Sequence, residues 1–185
     1  MPAYVLPIKS LKRPSCLNGQ ENGKLAAGIL KRCGIGNFLL AEPAARALRA
    51  LVAAAEARGF QVRATGTYRT YAQQESLFRS RYTTKVLPGR PTKRWNGETW
   101  YQLPKTAMAA VPGTSNHGWG LAVDFAEELN GKPGVESVSP KFVKWMIKNA
   151  ATYGFSAELQ SEPWHWRYVA GDRIPDAVIA WEASQ

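Results

Sequence analysis

Two histidines are all that this chain of 185 residues contains, and each stands in a stretch that also carries a carboxylate. The first stretch is Ser115-Asn116-His117-Gly118-Trp119-Gly120-Leu121-Ala122-Val123-Asp124-Phe125. It begins polar, passes two glycines and ends in an apolar run, Leu121 to Phe125, that reads as a strand. An aspartate in such a strand is costly to bury unless a partner offsets its charge, and a metal ion is such a partner. The second stretch is Glu162-Pro163-Trp164-His165-Trp166. Two histidines and one aspartate make a three-ligand set for a single Zn2+, with the fourth tetrahedral position left to water. Zinc lowers the pKa of such a water to about 7. Glu162, just ahead of His165, is suited to take its proton. The competing reading is two structural histidines and a buried, hydrogen-bonded aspartate.

The pattern Ser-x-His-x-x-Gly-x-Ala-x-Asp over 115–124, followed by Glu-x-Trp-His over 162–165, resembles the zinc D-alanyl-D-alanine carboxypeptidases of the VanY type. These are relatives of the phage L-alanyl-D-glutamate endopeptidases, and the family cuts bacterial cell-wall peptides. Every fixed position of both motifs is present, in order. The resemblance implies that His117, Asp124 and His165 are the ligands of one zinc ion and that Glu162 is the catalytic base. It also covers Thr67-Tyr68-Arg69-Thr70, which is similar to the family's Gly-Tyr-Arg-Ser segment. That implies an active-site Arg69, either gripping a substrate carboxylate or stabilising the oxyanion. Ser115 is implied as a substrate contact, against the plainer reading of a loop serine bonded to local backbone. Gln73 or Gln74 is a further substrate-contact candidate, against that of an ordinary exposed helical glutamine.

These residues need elements to hold them. Pro43 to Arg58 has an apolar face at helical spacing, Leu48, Leu51, Val52 and Ala55, and ends at Gly59. Phe60 to Thr65 alternates as a strand. Thr70 is suited to cap a second helix, 71–82. Residues 83–114 form a long, proline-punctuated connection with one hairpin signal, Asn96-Gly97, inside Lys93–Tyr101. A third helix is expected over 140–153, a hairpin from 155–158 and 164–169, and a closing helix over 172–182. A short helix is read at 25–33. Trp164 and Trp166, two apart on a strand, should share a face opposite His165 and pack in the core. Trp95 and Trp100 either line a groove or simply pack. The expectation is one α+β domain, 1–185, with an irregular N-terminal wrap (1–41), a core over about 42–182 and a small antiparallel sheet with helices against it. The resemblance implies the hedgehog/DD-peptidase-like fold.

Composition narrows the partners. The formal charge is +10, which favours a polyanionic partner such as nucleic acid, anionic lipid or the bacterial wall. Basic residues cluster between Arg79 and Lys105, as a cationic rim for an anionic wall would need. No nucleic-acid motif is present, so peptidoglycan is the expected partner and nucleic acid is not. No apolar run reaches the length of a membrane span, and a monomer is expected. The opening residues lack the features of a signal peptide. With the resemblance, this suggests a phage or prophage lysin made in the host cytoplasm and acting on the wall. Cys16 and Cys33 are either two thiols or a disulfide. Within the peptidase reading, D-Ala-D-Ala carboxypeptidase and L-Ala-D-Glu endopeptidase action both remain open, with a slight lean to the lytic endopeptidase. The rival from another class is a non-catalytic wall-binding or virion module with the same fold.

Overall fold

The computed structural model describes residues 13–129, 132–133 and 138–185. The expectations for the first twelve residues lie outside these. In chain order the strands and helices are β1 (Leu30–Arg32), β2 (Leu39–Ala41), α1 (Glu42–Glu56), β3 (Val62–Gly66), α2 (Tyr71–Arg81), β4 (Tyr82–Thr83), β5 (Thr92–Trp95), β6 (Glu98–Gln102), β7 (Ala122–Leu129), β8 (Lys132–Pro133), α3 (Pro140–Asn149), β9 (Phe155–Ala157), β10 (His165–Tyr168) and α4 (Asp176–Glu182). The central sheet runs β3-β7-β10-β9, antiparallel throughout, with β8 paired to the end of β7. Helices α1, α3 and α4 contribute to the main apolar core beside it, which makes the fold α+β, as expected.

Local chemistry explains these elements. Helix α1 carries Pro43 in its first turn and buries an alanine-and-leucine face that includes Ala44, Leu48, Leu51 and Ala55. Helix α2 opens on a reciprocal capping box: the Thr70 hydroxyl accepts from the Gln73 amide, and the Gln73 side chain accepts from the Thr70 amide. Asn96 and Gly97 take positive φ angles of 49° and 78° between β5 and β6, the pair a type I′ hairpin turn requires.

The helix expected at 25–33 does not form. Gly28 sits in a short 3-10 turn, Ala27–Ile29, and the chain then enters β1. Pairing β1 with β2 satisfies backbone groups that a helix interrupted by glycine would hold weakly. Helix α3 is also shorter than expected, giving way to a 3-10 turn over Ala150–Tyr153 before Gly154. Both cysteines are free thiols, and burial pushes the Cys33 thiol up.

The N-terminal stretch is pinned to the loop that precedes β7. The Asn22 Nδ2 donates to the Ser115 carbonyl at 2.7 Å, and the Gly23 amide donates to the Gly118 carbonyl at 2.8 Å. A Cβ on Gly118 would lie 2.1 Å from Asn22 Oδ1, so only glycine lets the two segments touch.

Beside the main core lies a second, aromatic one. Phe78 of α2 stacks on Tyr82, with ring centroids 4.6 Å apart, and Trp95 and Trp100 close around it edge-on. The two tryptophans therefore pack and do not line a groove. The long connection is ordered by side chains that reach its carbonyls. Gln102 donates to Thr106, Arg81 to Met108, Lys93 to Ala109 and Gln74 to Ala110. An extended stretch outside any sheet needs such donors where it is shielded from water. Several cations of the basic run are engaged in this way, Arg90 included. Among the described residues, no helix is long and apolar enough to cross a membrane.

Candidate metal centre

Strand register brings the site together. Asp124 on β7 is the direct partner of His165 on β10, so the two side chains leave the sheet on one face. On its other side Asp124 faces Gly66, where β3 is irregular. A Cβ there would meet Asp124 Oδ2 at 2.8 Å, and the absence of a side chain gives the carboxylate its space. His117 arrives from the preceding loop, in a 3-10 turn over Asn116–Trp119 that Ser115 caps.

The three side chains converge. His117 Nε2 lies 3.1 Å from Asp124 Oδ2, and His165 Nδ1 lies 2.7 Å from Asp124 Oδ1. One ligand atom from each residue falls within a 4.8 Å cluster, and all three residues are buried. The ring nitrogens that face away are engaged too. His117 Nδ1 is 2.8 Å from the Thr67 carbonyl, and His165 Nε2 is 2.8 Å from Glu158 Oε2. Two imidazole nitrogens and a carboxylate, closed on three sides, match the donor set of a catalytic zinc site.

Without a metal the cluster is held by charge. Burial works against an ionised Asp124, yet hydrogen bonds from His117 and His165 outweigh it and hold the carboxyl well below its usual range. Burial likewise opposes a charged His165, but its bonds to Asp124 and Glu158 win and raise it to about 9. Glu158 is lowered: burial opposes ionisation and is outweighed by His165 and Arg167.

The cluster lines a cleft of about 370 Å³, within the range of small-ligand sites. Glu162, Arg69 and Ser115 line the same cleft. The Arg69 guanidinium is aimed by Gln74 Oε1, 2.9 Å from its Nη1, and Gln74 is fixed in turn by the Ala110 carbonyl. Gln74 is thus buried behind Arg69, while Gln73 is exposed and spends its side chain on the α2 cap. Neither glutamine is on the cleft wall. Trp166 packs in the core, but Trp164 does not follow it: β10 begins at His165, so Trp164 precedes the regular alternation and faces the cleft.

The residue that sequence reasoning missed is Glu158. Pairing in the β9–β10 hairpin stops at Ala157↔Trp166. One further step sets Glu158 against His165, so reading 155–158 and 164–169 as a hairpin already contained the signal.

The family model for VanY, D-alanyl-D-alanine carboxypeptidase, matches residues 37–171. The chain belongs to the VanY family. Among the relatives it resembles is a D-alanyl-D-alanine carboxypeptidase of Enterococcus faecalis (strain ATCC 700802 / V583), 30% identical over 66% of this chain and 45% of the relative. Another is YodJ of Bacillus subtilis (strain 168), which carries a provisional carboxypeptidase name and is 33% identical over 68% of this chain and 45% of its own length. The chain thus spans about half the length of these relatives. Among solved structures, the LdcB LD-carboxypeptidase superposes with a TM-score of 0.56 at 26% identity, over 89% of this chain and 79% of that one. A vancomycin-resistance D,D-pentapeptidase VanY in complex with Zn(II) superposes with a TM-score of 0.54 over 90% of this chain and 87% of that one; at 22% identity it speaks for the fold alone.

Proposed function

We propose that this protein is a zinc-dependent carboxypeptidase of peptidoglycan stem peptides. The observation that carries the reading is the buried His117–Asp124–His165 cluster in the lining of a cleft that also presents Glu162 and Arg69. Family membership supports it.

The donor set fits zinc, and His117, Asp124 and His165 would hold it. When bound there, zinc supplies Lewis acidity that polarises a carbonyl and makes water nucleophilic near neutral pH. Glu162 takes the proton of the attacking water and passes it to the leaving amine, so that the amide splits into acid and amine. Arg69, aimed by Gln74, offers a planar guanidinium that fits the terminal carboxylate of the substrate, which selects a chain end. Ser115, whose hydroxyl accepts from the His117 amide, lines the same cleft. The carboxypeptidase reading stands ahead of the endopeptidase one because three of the relatives described above are named carboxypeptidases.

The test is mass spectrometry of defined muropeptides incubated with the zinc-loaded protein, beside a chelated control. Loss of one terminal D-alanine, sensitive to the chelator, is expected. Release of the stem at L-alanine would make the protein a lytic endopeptidase. No chelator-sensitive cleavage would leave a wall-binding module.

A further inference from the structure

Glu158 takes no part in the chemistry just described, yet it holds a metal-site residue. The register that sets Asp124 against one edge of His165 sets Glu158 against the other, one step past Ala157↔Trp166. The imidazole is therefore clasped between two carboxylates, Nδ1 to Asp124 Oδ1 at 2.7 Å and Nε2 to Glu158 Oε2 at 2.8 Å. The other oxygen of Glu158 accepts from Asn116 Nδ2 and, at 3.2 Å, from Arg167 Nη1. We propose that Glu158 is a positioning residue of the zinc site: it accepts the Nε2–H of His165 and thereby commits the Nδ1 lone pair to the metal. The inference rests on the reading of His117, Asp124 and His165 as zinc ligands.

A neutral imidazole has one N–H and one lone pair. Both ring nitrogens of His165 face a carboxylate, Nδ1 that of Asp124 and Nε2 that of Glu158, so the two sides differ only in that the other metal-ligand candidates lie on the Nδ1 side. A metal held by Asp124 and His117 would take the place of the Nδ1 proton, while the Nε2–H stays with Glu158. His117 is arranged in the opposite sense. Its Nδ1 meets the Thr67 carbonyl, which can only accept, so Nε2, beside Asp124, is the nitrogen left to turn to a metal. The two histidines thus present different ring nitrogens, each selected by one acceptor behind it.

The two acceptors are not equivalent. The Thr67 carbonyl is neutral, whereas Glu158 is anionic and makes the ring it holds a stronger donor to a cation. Asn116 belongs to the turn that carries His117, and Arg167 projects from β10 on the same side as His165. One carboxylate therefore ties the loop of the first ligand to the strand of the last. Both of its oxygens are engaged, which separates it from the proton transfer assigned to Glu162.

The test is the zinc dissociation constant, by competition with a chromogenic chelator, for the wild type, Glu158→Ala and Glu158→Gln. It is joined by 15N NMR of the histidine rings in the zinc-loaded wild type. Glu158→Ala should bind zinc about ten- to a hundred-fold more weakly, with an unchanged far-UV spectrum. Glu158→Gln retains an acceptor oxygen and should recover most of that loss. The NMR should show His165 metallated at Nδ1 and protonated at Nε2. Wild-type affinity in Glu158→Ala, or metallation at Nε2, would overturn the proposal while leaving the zinc reading intact. Failure of the wild type to bind zinc would overturn both. Should Glu158→Ala not fold, the wild-type ring assignment decides alone.

Discussion

The cleft has two walls, and they are built by different means. The wall that carries the metal cluster is made by strand register: β7 and β10 present Asp124 and His165 as a cross-strand pair, and β3 offers a glycine to make room. The other wall, Ala107 to Ala110, lies outside any strand or helix and is held by long side chains from α2 and β5. Backbone pairing fixes a side chain more closely than a tether from a lysine or arginine does, because those side chains have many rotamers to lose. The division suits the proposed function, in which a metal needs its donors in one place before it binds.

Breaking the register wall should have the largest effects. His165→Ala removes one of the three ligands, and both bound zinc and hydrolysis should fall to background, as metal analysis and turnover would read. Raising the pH should loosen the same wall in the zinc-free protein. Asp124 and Glu158 face the His165 ring, His117 lies beside it, and Arg167 contacts Glu158. The folded pKa is raised, so its contribution is fully present below about 6.5 and is lost as pH climbs through about 9. That loss is roughly 3 kcal/mol, measurable by denaturant titration on either side of the window. Over the same range zinc should bind more tightly as the competing proton leaves.

Gly66→Ala sharpens the comparison. Its Cβ would press on the Asp124 carboxylate, so it should cost about 1–3 kcal/mol and weaken zinc binding together. On the other wall, Lys93→Met strips a donor from the Ala109 carbonyl, which water in the cleft can partly replace. A loss of about 1 kcal/mol is expected, with zinc affinity unchanged and any kinetic effect confined to KM. An altered zinc affinity in this variant would show that the two walls are coupled.

Much of the metal wall was legible in the sequence because its chemistry is local. With only two histidines, each beside a carboxylate, His117, Asp124 and His165 could be named before any fold was known. Thr70 as a cap and Asn96-Gly97 as a turn were legible for the same reason, since each acts within a few residues. Glu158 was not seen, because its role depends on where one hairpin stops pairing. Gln73 and Gln74 could not be told apart either. Neighbours on one helix diverge by about 100°, which leaves Gln73 on the cap and Gln74 behind Arg69. The tethered wall was read only as a long basic connection, because side chain-to-carbonyl bonds leave no periodicity in a sequence.

The central claim is that the cluster holds zinc and that Glu162 uses it. The direct measurement is zinc content and muropeptide hydrolysis of Glu162→Ala beside the wild type. The account predicts one zinc in both proteins and a rate lower by about 10²–10⁴-fold in the variant. Near-normal turnover in Glu162→Ala, or loss of its zinc, would contradict it.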